Sequence, residues 1–325
     1  MFFTINNSIG GSEMKTALII GVTGNFGSQM TQTFLNNGWQ MKALIRDKTK
    51  APDFISTSNI YIGDSKDENA VKAAAQSVSL IIYAANPAYH RWQEEALQML
   101  EPTVRVAETL KLRILFPGNV YGYAPGEKAK TEMDEQNPLT DKGEIRIRME
   151  ERLKKSSKNG AKVTIIRAGD FIGPNMHMGW LDFILKGKNT KYSLAMPHDD
   201  KHVHFWSYLP DLCANAIKLI ESPESDYDNW NDPGLKLTTS DWRETLKKNG
   251  YTVKMKSFPW WFFKVFSPFN PMLREVLKMR YLWQSTLVLD GSKLKKKLGN
   301  QFVQTSLEQI IRSITGKSDI RKNAA

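Results

Sequence analysis

The chain has 325 residues, of which 41% are hydrophobic and 24% are charged, and its 45 Lys and Arg outnumber 34 Asp and Glu to give a net charge of +11. This composition is typical of a soluble globular protein with room for one large domain and an appended region. The single cysteine, Cys213, excludes an internal disulfide framework and favours a cytoplasmic location. No apolar run approaches the ~20 residues that a membrane-spanning helix needs.

The first half of the chain alternates between apolar runs and helical patterns. The apolar runs predict strands over residues 16–21, 40–45, 60–62, 80–83, 113–116 and 163–167. The segments between them predict helices over residues 29–35, 66–75, 91–110 with an interruption at Pro102, and 145–155. This alternation predicts an α/β fold of the Rossmann type, a doubly wound parallel sheet with ligands at the carboxyl ends of its strands.

A glycine-rich segment, Gly21-Val22-Thr23-Gly24-Asn25-Phe26-Gly27, joins the first strand to the first helix. Gly21 permits a tight turn, Gly24 lets the backbone approach a pyrophosphate, and Gly27 allows the helix to pack closely on the strand. The free N–H groups of the helix N-terminus favour a bound diphosphate. We therefore expect a dinucleotide here, with Gly21, Thr23, Gly24, Asn25, Phe26 and Gly27 among its contacts.

The end of the second strand bears on the identity of the dinucleotide. Proteins that bind NAD usually place an acidic residue there for the ribose hydroxyls. Here Arg46 comes first and Asp47 follows. A guanidinium can bind a 2′-phosphate with two hydrogen bonds, so we predict NADP as the cofactor, with NAD as the second choice.

Several motifs carry a family resemblance that covers the chain from Met14 to about Thr315. They are residues 22–27, Gly63-Asp64, Val120-Tyr121-Gly122, residues 167–174 and residues 206–214. Together they resemble the short-chain dehydrogenase/reductase superfamily, in its extended or atypical branch near the NAD-dependent epimerase/dehydratases.

The resemblance implies further cofactor contacts and a division of the chain. Asp64 and Ser65 are expected near adenine, Ala84, Ala85 and Asn86 beside the ribose and diphosphate, and Gly169, Asp170 and Phe171 beside the nicotinamide; Pro117, Gly118 and Asn119 follow the fifth strand. Residues 1–13 are interpreted as a disordered leader. Residues 14–168 form the predicted NAD(P)-binding Rossmann domain, and residues 169–325 a smaller substrate-covering lobe that is partly interleaved with the sheet.

The sequence departs from this family's pattern where redox members carry a Ser and a Tyr-x-x-x-Lys. Aligned on Glu150, Lys142 takes the Tyr position and Arg146 takes the Lys position, and the Ser is absent. In one interpretation Arg146 binds the cofactor ribose and Lys142 donates a proton or stabilises a developing alkoxide. In the other, both are surface residues and the usual chemistry is lost. Tyr121 and Tyr123 are alternative proton donors.

Two functions remain open on these residues. The first is an NAD(P)-dependent oxidoreductase, or an epimerase/dehydratase relative, that transfers hydride to or from a small carbonyl or alcohol with a proton source other than tyrosine. The second is a non-catalytic NADP-binding regulator or redox sensor. We expect no nucleic-acid partner, because no recognition motif accompanies the positive charge. The sequence is compatible with a monomer or a homodimer.

Two further segments are rich in histidine or in aromatic residues. His198, His202 and His204 lack the spacing of a metal site, so no metal is expected, although one of them is predicted at the mouth of the substrate cleft. The aromatic segment from Phe258 to Phe266 is interpreted as core or a substrate lid, with a dimer interface or peripheral membrane contact as alternatives. A lid would imply a partly apolar substrate.

Overall fold

The structure is a computed structural model that describes residues 14–177, 179–198 and 200–316. The predicted leader, residues 1–13, lies outside the described residues. The strands in chain order are β1 Thr16–Ile20, β2 Gln40–Ile45, β3 Ile60–Ile62, β4 Leu80–Tyr83, β5 Arg113–Asn119, β6 Lys162–Ala168, β7 Asp170–Ile172, β8 Leu185–Lys188, β9 Lys191–Leu194, β10 His204–Tyr208, β11 Tyr227–Asn231, β12 Leu235–Leu237 and β13 Thr252–Met255.

Helices separate most of these strands. In chain order they are α1 Asn25–Asn36, α2 Glu68–Ala74, α3 Trp92–Leu110, α4 Asp141–Ser157, α5 Trp180–Ile184, α6 Leu209–Glu221, α7 Thr239–Lys248, α8 Trp260–Phe266, α9 Pro271–Lys278, α10 Tyr281–Gln284, α11 Ser292–Leu298 and α12 Leu307–Ile314.

The main sheet has seven parallel strands in the order β11-β6-β5-β4-β1-β2-β3. One apolar core lies between the sheet and helices α1 and α6. A second core lies on the opposite face, against α2, α3 and α4. Helices on both faces of a parallel sheet confirm the predicted Rossmann-type fold.

Three helices differ from the prediction, and one of them is α4, which begins at Asp141 and not at residue 145. Helix α1 begins at Asn25, inside the glycine-rich segment, and not at residue 29. Helix α3 is continuous through Pro102, so the predicted interruption is wrong. Proline removes one backbone hydrogen bond, but apolar residues are buried on both sides of it, including Met99, Leu100 and Val104. This packing offsets the lost bond, which sequence preference alone does not reveal.

The C-terminal part of the chain builds two small sheets and a separate core. One sheet has the order β12-β10-β7 and the other the order β13-β9-β8. Their shared apolar cluster contains Trp206, Trp242 and Trp283, each at most 1% exposed. Strand β11 belongs to this part of the sequence but pairs with β6 at the edge of the main sheet. In the described part of the chain, no helix combines the length and apolar character required to cross a bilayer.

Candidate dinucleotide and substrate site

The glycine-rich segment meets the sheet with almost no free space. Gly21 has a φ of +98°, and a Cβ there would lie 2.6 Å from the backbone of Ala84. A Cβ on Gly27 would lie only 2.2 Å from the carbonyl oxygen of Gly21. These positions therefore require glycine, because the first helical turn and the turn after β1 touch through their backbones.

A cleft of about 530 Å³ opens at the carboxyl ends of β1, β2 and β4. We call it the dinucleotide cleft. It has the location expected for the adenine and diphosphate half of a dinucleotide. The predicted contacts that line it are Gly21, Thr23, Gly24, Arg46, Ser65, Ala84, Ala85 and Asn86.

Cationic side chains surround the far end of this cleft. Arg46 and Lys50 line it together with Asp47. The Asp47 carboxylate accepts hydrogen bonds from the Thr49 backbone N–H at 3.0 Å and hydroxyl at 2.6 Å. These bonds hold the pKa of Asp47 below its ordinary value. Its carboxylate is therefore engaged in a local turn, while Arg46 borders the cleft.

Three of the predicted cofactor residues line neither the dinucleotide cleft nor the second cavity, which is described next. Gly27 is buried beneath the loop. The Asn25 amide bonds the backbone of His177, at 2.9 Å through its nitrogen and 3.1 Å through its oxygen. Asp64 caps its own turn by accepting from the Lys66 N–H at 2.9 Å. The first two shape or fasten the loop, and the third fixes the turn that presents Ser65.

A second cavity, of about 250 Å³, continues from the first between β5, β6 and the C-terminal part. We call it the inner cavity. It shares Ala84, Ala85 and Asn86 with the dinucleotide cleft, so the two lie side by side just after β4. The other predicted residues that line it are Phe26, Pro117, Gly118, Asn119, Tyr121, Arg146, Gly169, Asp170 and Phe171.

Arg146 reaches the inner cavity from α4 and is 5% exposed. Its guanidinium donates to the Pro117 carbonyl and lies 4.5 Å from the centre of the Phe116 ring. Its Nε has no hydrogen-bond partner among the described residues. Burial lowers the pKa of Arg146. A buried cation with a spare donor at the wall of a cavity is suited to a polar ligand atom.

Lys142 points elsewhere, although it is one turn before Arg146. Its side chain is buried at 1% exposure and forms an ion pair with Glu275 of α9. Glu275 also pairs with Lys278 at 3.0 Å. Lys142 is not among the residues that line the inner cavity. The ammonium group therefore joins α4 to α9 and does not face the ligand space.

The tyrosines predicted as alternative donors are separated by the fold. Tyr121 lines the inner cavity, and its hydroxyl lies 2.6 Å from that of Tyr89. Burial raises the pKa of Tyr121 well above its ordinary value and that of Tyr89 to about 12. Tyr123 instead donates to the carbonyl of Thr131, at 3.4 Å. Tyr83, which no sequence pattern indicated, adds a buried hydroxyl without a partner among the described residues.

His204 and Asp170 form a pair on the wall of the inner cavity. The Nε2 of His204 lies 2.8 Å from Oδ2 of Asp170, and its Nδ1 lies 3.1 Å from the carbonyl oxygen of Leu282. Each ring nitrogen of His204 therefore faces an oxygen that accepts hydrogen bonds. The ring stacks on Trp283 at 3.5 Å, which fixes its plane. The sequence predicts one histidine at the mouth of the substrate cleft; His204 is buried on the wall of the inner cavity, and a place at the mouth stays a prediction.

A hydrogen-bonded chain supports the segment that carries Asp170. The Gly169 N–H donates to the Ser207 hydroxyl at 3.0 Å, and this hydroxyl donates to Asp232 at 2.6 Å. Asp232 is buried, and burial raises its pKa to about 6. The chain ties the turn between β6 and β7 to strand β10.

The aromatic segment does not cover the cavity. None of its residues, Phe258 to Phe266, lines the inner cavity. Phe258 and Phe263 belong to the C-terminal core, whereas Trp261 is 66% exposed and Val265 is 55% exposed. The lid interpretation is therefore wrong, and the core interpretation holds for only part of the segment.

The family of this chain follows from comparison with known sequences. A model of the NAD dependent epimerase/dehydratase family matches residues 17–231. The match spans the whole main sheet, so this chain belongs to that family. The sequence has no significant match among curated proteins.

Solved structures share the fold at low sequence identity. MoeE5, in complex with UDP-glucuronic acid and NAD, has a TM-score of 0.70 and 14% identity, covering 93% of this chain and 98% of that one. UDP-glucose 4-epimerase of Thermus thermophilus, in complex with NAD, has a TM-score of 0.67 and 16% identity, covering 93% of this chain and 98% of that one. A DesIV dTDP-glucose 4,6-dehydratase double mutant from Streptomyces venezuelae, with NAD and DAU bound, has a TM-score of 0.69 and 16% identity, covering 92% of this chain and 95% of that one.

Proposed function

We propose that this protein is an NADP-dependent oxidoreductase that reduces a small, partly apolar carbonyl compound, or oxidises the corresponding alcohol. The observation that carries the proposal is that the dinucleotide cleft and the inner cavity lie side by side and share Ala84, Ala85 and Asn86 as lining residues. A dinucleotide with its diphosphate at the glycine-rich loop would extend its nicotinamide past these residues towards Asp170. The relatives bind NAD, and the preference for NADP rests on Arg46.

The lining of the inner cavity supports a small substrate. Aromatic side chains dominate its walls: Phe26, Tyr83, Tyr89, Trp92, Phe116, Tyr121, Phe171 and Phe205. Among the described residues that line it, Arg146 is the sole Lys or Arg. A volume of about 250 Å³ is below the ~300–1,000 Å³ usual for a drug-sized ligand. These features favour an uncharged carbonyl compound over the nucleotide sugars named with the relatives.

The His204–Asp170 pair is the proton source in this proposal. A bound nicotinamide cofactor would supply the hydride for the carbonyl carbon. His204 and Asp170 would hold, between Nε2 and Oδ2, the proton that the carbonyl oxygen takes. Solvent then returns a proton to the pair. Arg146 orients the substrate or the cofactor ribose with its spare Nε–H. Lys142 has no part in the chemistry, since its ammonium is bound to Glu275. Tyr121 is the competing donor, and its bond to Tyr89 works against that role.

The test is NADPH oxidation against a panel of aliphatic and aromatic aldehydes and ketones, with UDP-glucose included. Once a substrate is found, His204→Gln and Asp170→Asn are expected to lower kcat by about 10²–10⁴-fold, the usual range for removing a general acid. NADPH affinity is expected to stay within a few fold. Tyr121→Phe is the matched control and should retain most of the activity.

Three outcomes would overturn parts of the proposal. A Tyr121→Phe variant without activity beside an active His204→Gln variant assigns the proton to tyrosine. Turnover of UDP-glucose alone returns the substrate to nucleotide sugars. Tight NADPH binding with no turnover of any panel member favours the non-catalytic NADP sensor.

A further inference from the structure

A surface next to the C-terminal core combines exposed aromatic rings with lysines. Its aromatic part is helix α8 and the residues after it, where Trp261, Phe262, Val265 and Phe266 are 66%, 41%, 55% and 43% exposed and Phe269 is 84% exposed. The spacing of these residues places them along one side of a helix. The rings touch: Phe262 and Phe266 are 4.6 Å apart. Such a patch on a globular protein marks an interaction site.

The lysines come from the sheet β13-β9-β8. Two rows of paired residues cross the three strands in the order β13, β9, β8. One row is Lys254, Ser193 and Lys186, and the other is Thr252, Lys191 and Lys188. Paired residues and their i+2 neighbours project from one face of a sheet. This face therefore carries Lys186, Lys188, Lys191 and Lys254, all exposed. Every residue of the three strands is described, and none is Asp or Glu.

The two parts are close along the chain and border the same core. The opposite face of the sheet, with Tyr192 and Val253, packs into the cluster that also holds Phe258 and Phe263. Strand β13 ends at Met255, which is 40% exposed, and α8 begins at Trp260 after a short connection. The Trp260 indole fastens that end of the helix by donating to Pro197 at 3.0 Å.

We propose that this surface, formed by α8, Phe269 and the lysine face of the β13-β9-β8 sheet, binds the headgroup region of an anionic lipid bilayer. Aromatic side chains on a rigid short helix can enter the interface between headgroups and acyl chains. Lysines beside them gain from the negative surface potential of acidic lipids. Lys264 within α8 and Arg274 in the adjoining α9 add to the same charge.

Charge argues against a second copy of this chain as the occupant. A two-fold contact through this surface would place the lysine faces of both copies in one interface, where like charges repel. An anionic membrane instead neutralises them, in keeping with the net charge of +11. The inference is independent of the proposed oxidoreductase activity, because no residue of this surface lines the inner cavity.

The test is cosedimentation of the full chain with vesicles of 70% phosphatidylcholine and 30% phosphatidylserine, and with pure phosphatidylcholine vesicles. We expect binding to the first, weak binding to the second, and release by 0.5 M salt. Trp261→Gln/Val265→Gln is expected to lower the partition coefficient at least tenfold. Lys186→Gln/Lys254→Gln is expected to lower it by roughly 10–30-fold, since each lysine near the surface contributes about fivefold.

Matched controls remove equivalent groups from another face. Ile62→Gln/Met133→Gln deletes exposed apolar residues, and Lys155→Gln/Lys158→Gln deletes exposed lysines. Both should bind vesicles like the unchanged protein. Failure of the unchanged protein to bind the anionic vesicles, or equal loss in variants and controls, overturns the proposal. A dimer that Trp261→Gln/Val265→Gln converts to a monomer, with no vesicle binding, makes the surface a self-association interface.

Discussion

The Lys142 ammonium group and the Glu275 carboxylate form a buried ion pair between helices α4 and α9. Burial raises the pKa of Glu275, but hydrogen bonds from Lys142 and Lys278 outweigh it and lower the pKa below its ordinary value. Lys142, which the sequence alignment on Glu150 predicts at the family's tyrosine position, thus links the Rossmann part of the chain to its C-terminal part.

Replacing Lys142 should therefore affect stability more than chemistry. Lys142→Met leaves a buried carboxylate with only Lys278, and loss of one partner of such a pair costs roughly 3–5 kcal/mol. We expect the free energy of unfolding, measured in urea, to fall by an amount at the lower end of this range, while NADPH affinity stays unchanged. The double variant Lys142→Met/Glu275→Leu should recover most of the loss. Unchanged stability together with abolished turnover would instead make Lys142 the proton donor.

Gly27→Ala tests the backbone contact beneath the glycine-rich loop. The added Cβ would meet the Gly21 carbonyl oxygen at 2.2 Å, so α1 or the loop must shift. If the loop binds the diphosphate as proposed, NADPH affinity should fall at least tenfold in a fluorescence titration. Gly126→Ala is the control, because no atom lies within 4 Å of its Cβ position. Equal affinity in the two variants would show that the loop does not bind the dinucleotide.

Arg46→Ala tests the cofactor preference. Loss of a charge-assisted hydrogen bond to the 2′-phosphate costs about 1.5–3 kcal/mol, which corresponds to a roughly 10–150-fold weaker affinity for NADPH. NADH lacks this phosphate and should bind nearly as before. Lys48→Ala is a control of like charge that does not line the dinucleotide cleft. A similar loss for both cofactors would contradict the NADP assignment.

The raised pKa of Asp232 predicts how the free energy of unfolding changes with pH, and in which direction. Its pKa is about 6 in the folded protein because of burial, against ~3.9 in an unfolded chain. The folded state thus holds this proton more tightly than the unfolded chain does. The protonated Asp232 carboxyl therefore adds its full contribution to the free energy of unfolding below pH 4, and this contribution is lost as the pH rises to 6. Asp232→Asn should be more stable than the unchanged protein above pH 6, by at most about 3 kcal/mol.

The control for this measurement has the opposite sign. Hydrogen bonds from Thr131 lower the pKa of Asp134, so Asp134→Asn should lose stability near neutral pH and less near pH 4. Thermal unfolding at pH 4, 5, 6 and 8 distinguishes the two. A flat difference between Asp232→Asn and the unchanged protein would mean that this carboxyl does not hold its proton in the fold.

Much of the main sheet is predictable because its signals are local. Strands β2, β3 and β4 have the predicted bounds, since each is an apolar run flanked by polar or turn residues. Strand β11, Tyr227-Asp-Asn-Trp-Asn, is not predictable in this way, because it is mostly polar and finds its place only by pairing with β6.

The site residues likewise divide into those with a local sequence signal and those that depend on distant contacts. The glycine-rich loop and Arg46 lie next to one another in the chain and are recognisable there. His204 needs Asp170 and the Trp283 ring, which lie far apart in sequence, and Lys142 needs Glu275. Alignment on Glu150 gives the position of Lys142 along α4, but the partner that turns its side chain away comes from α9.

Strand β11 also has a consequence for biosynthesis. Strand β6 ends at Ala168, but its outer neighbour begins only at Tyr227. While the ribosome adds the intervening residues, β6 presents an unpaired apolar edge, the kind of surface through which nascent chains associate wrongly. Expression of a fragment that ends between these two strands should therefore yield aggregates, and extension of the fragment beyond Asn231 should reduce them.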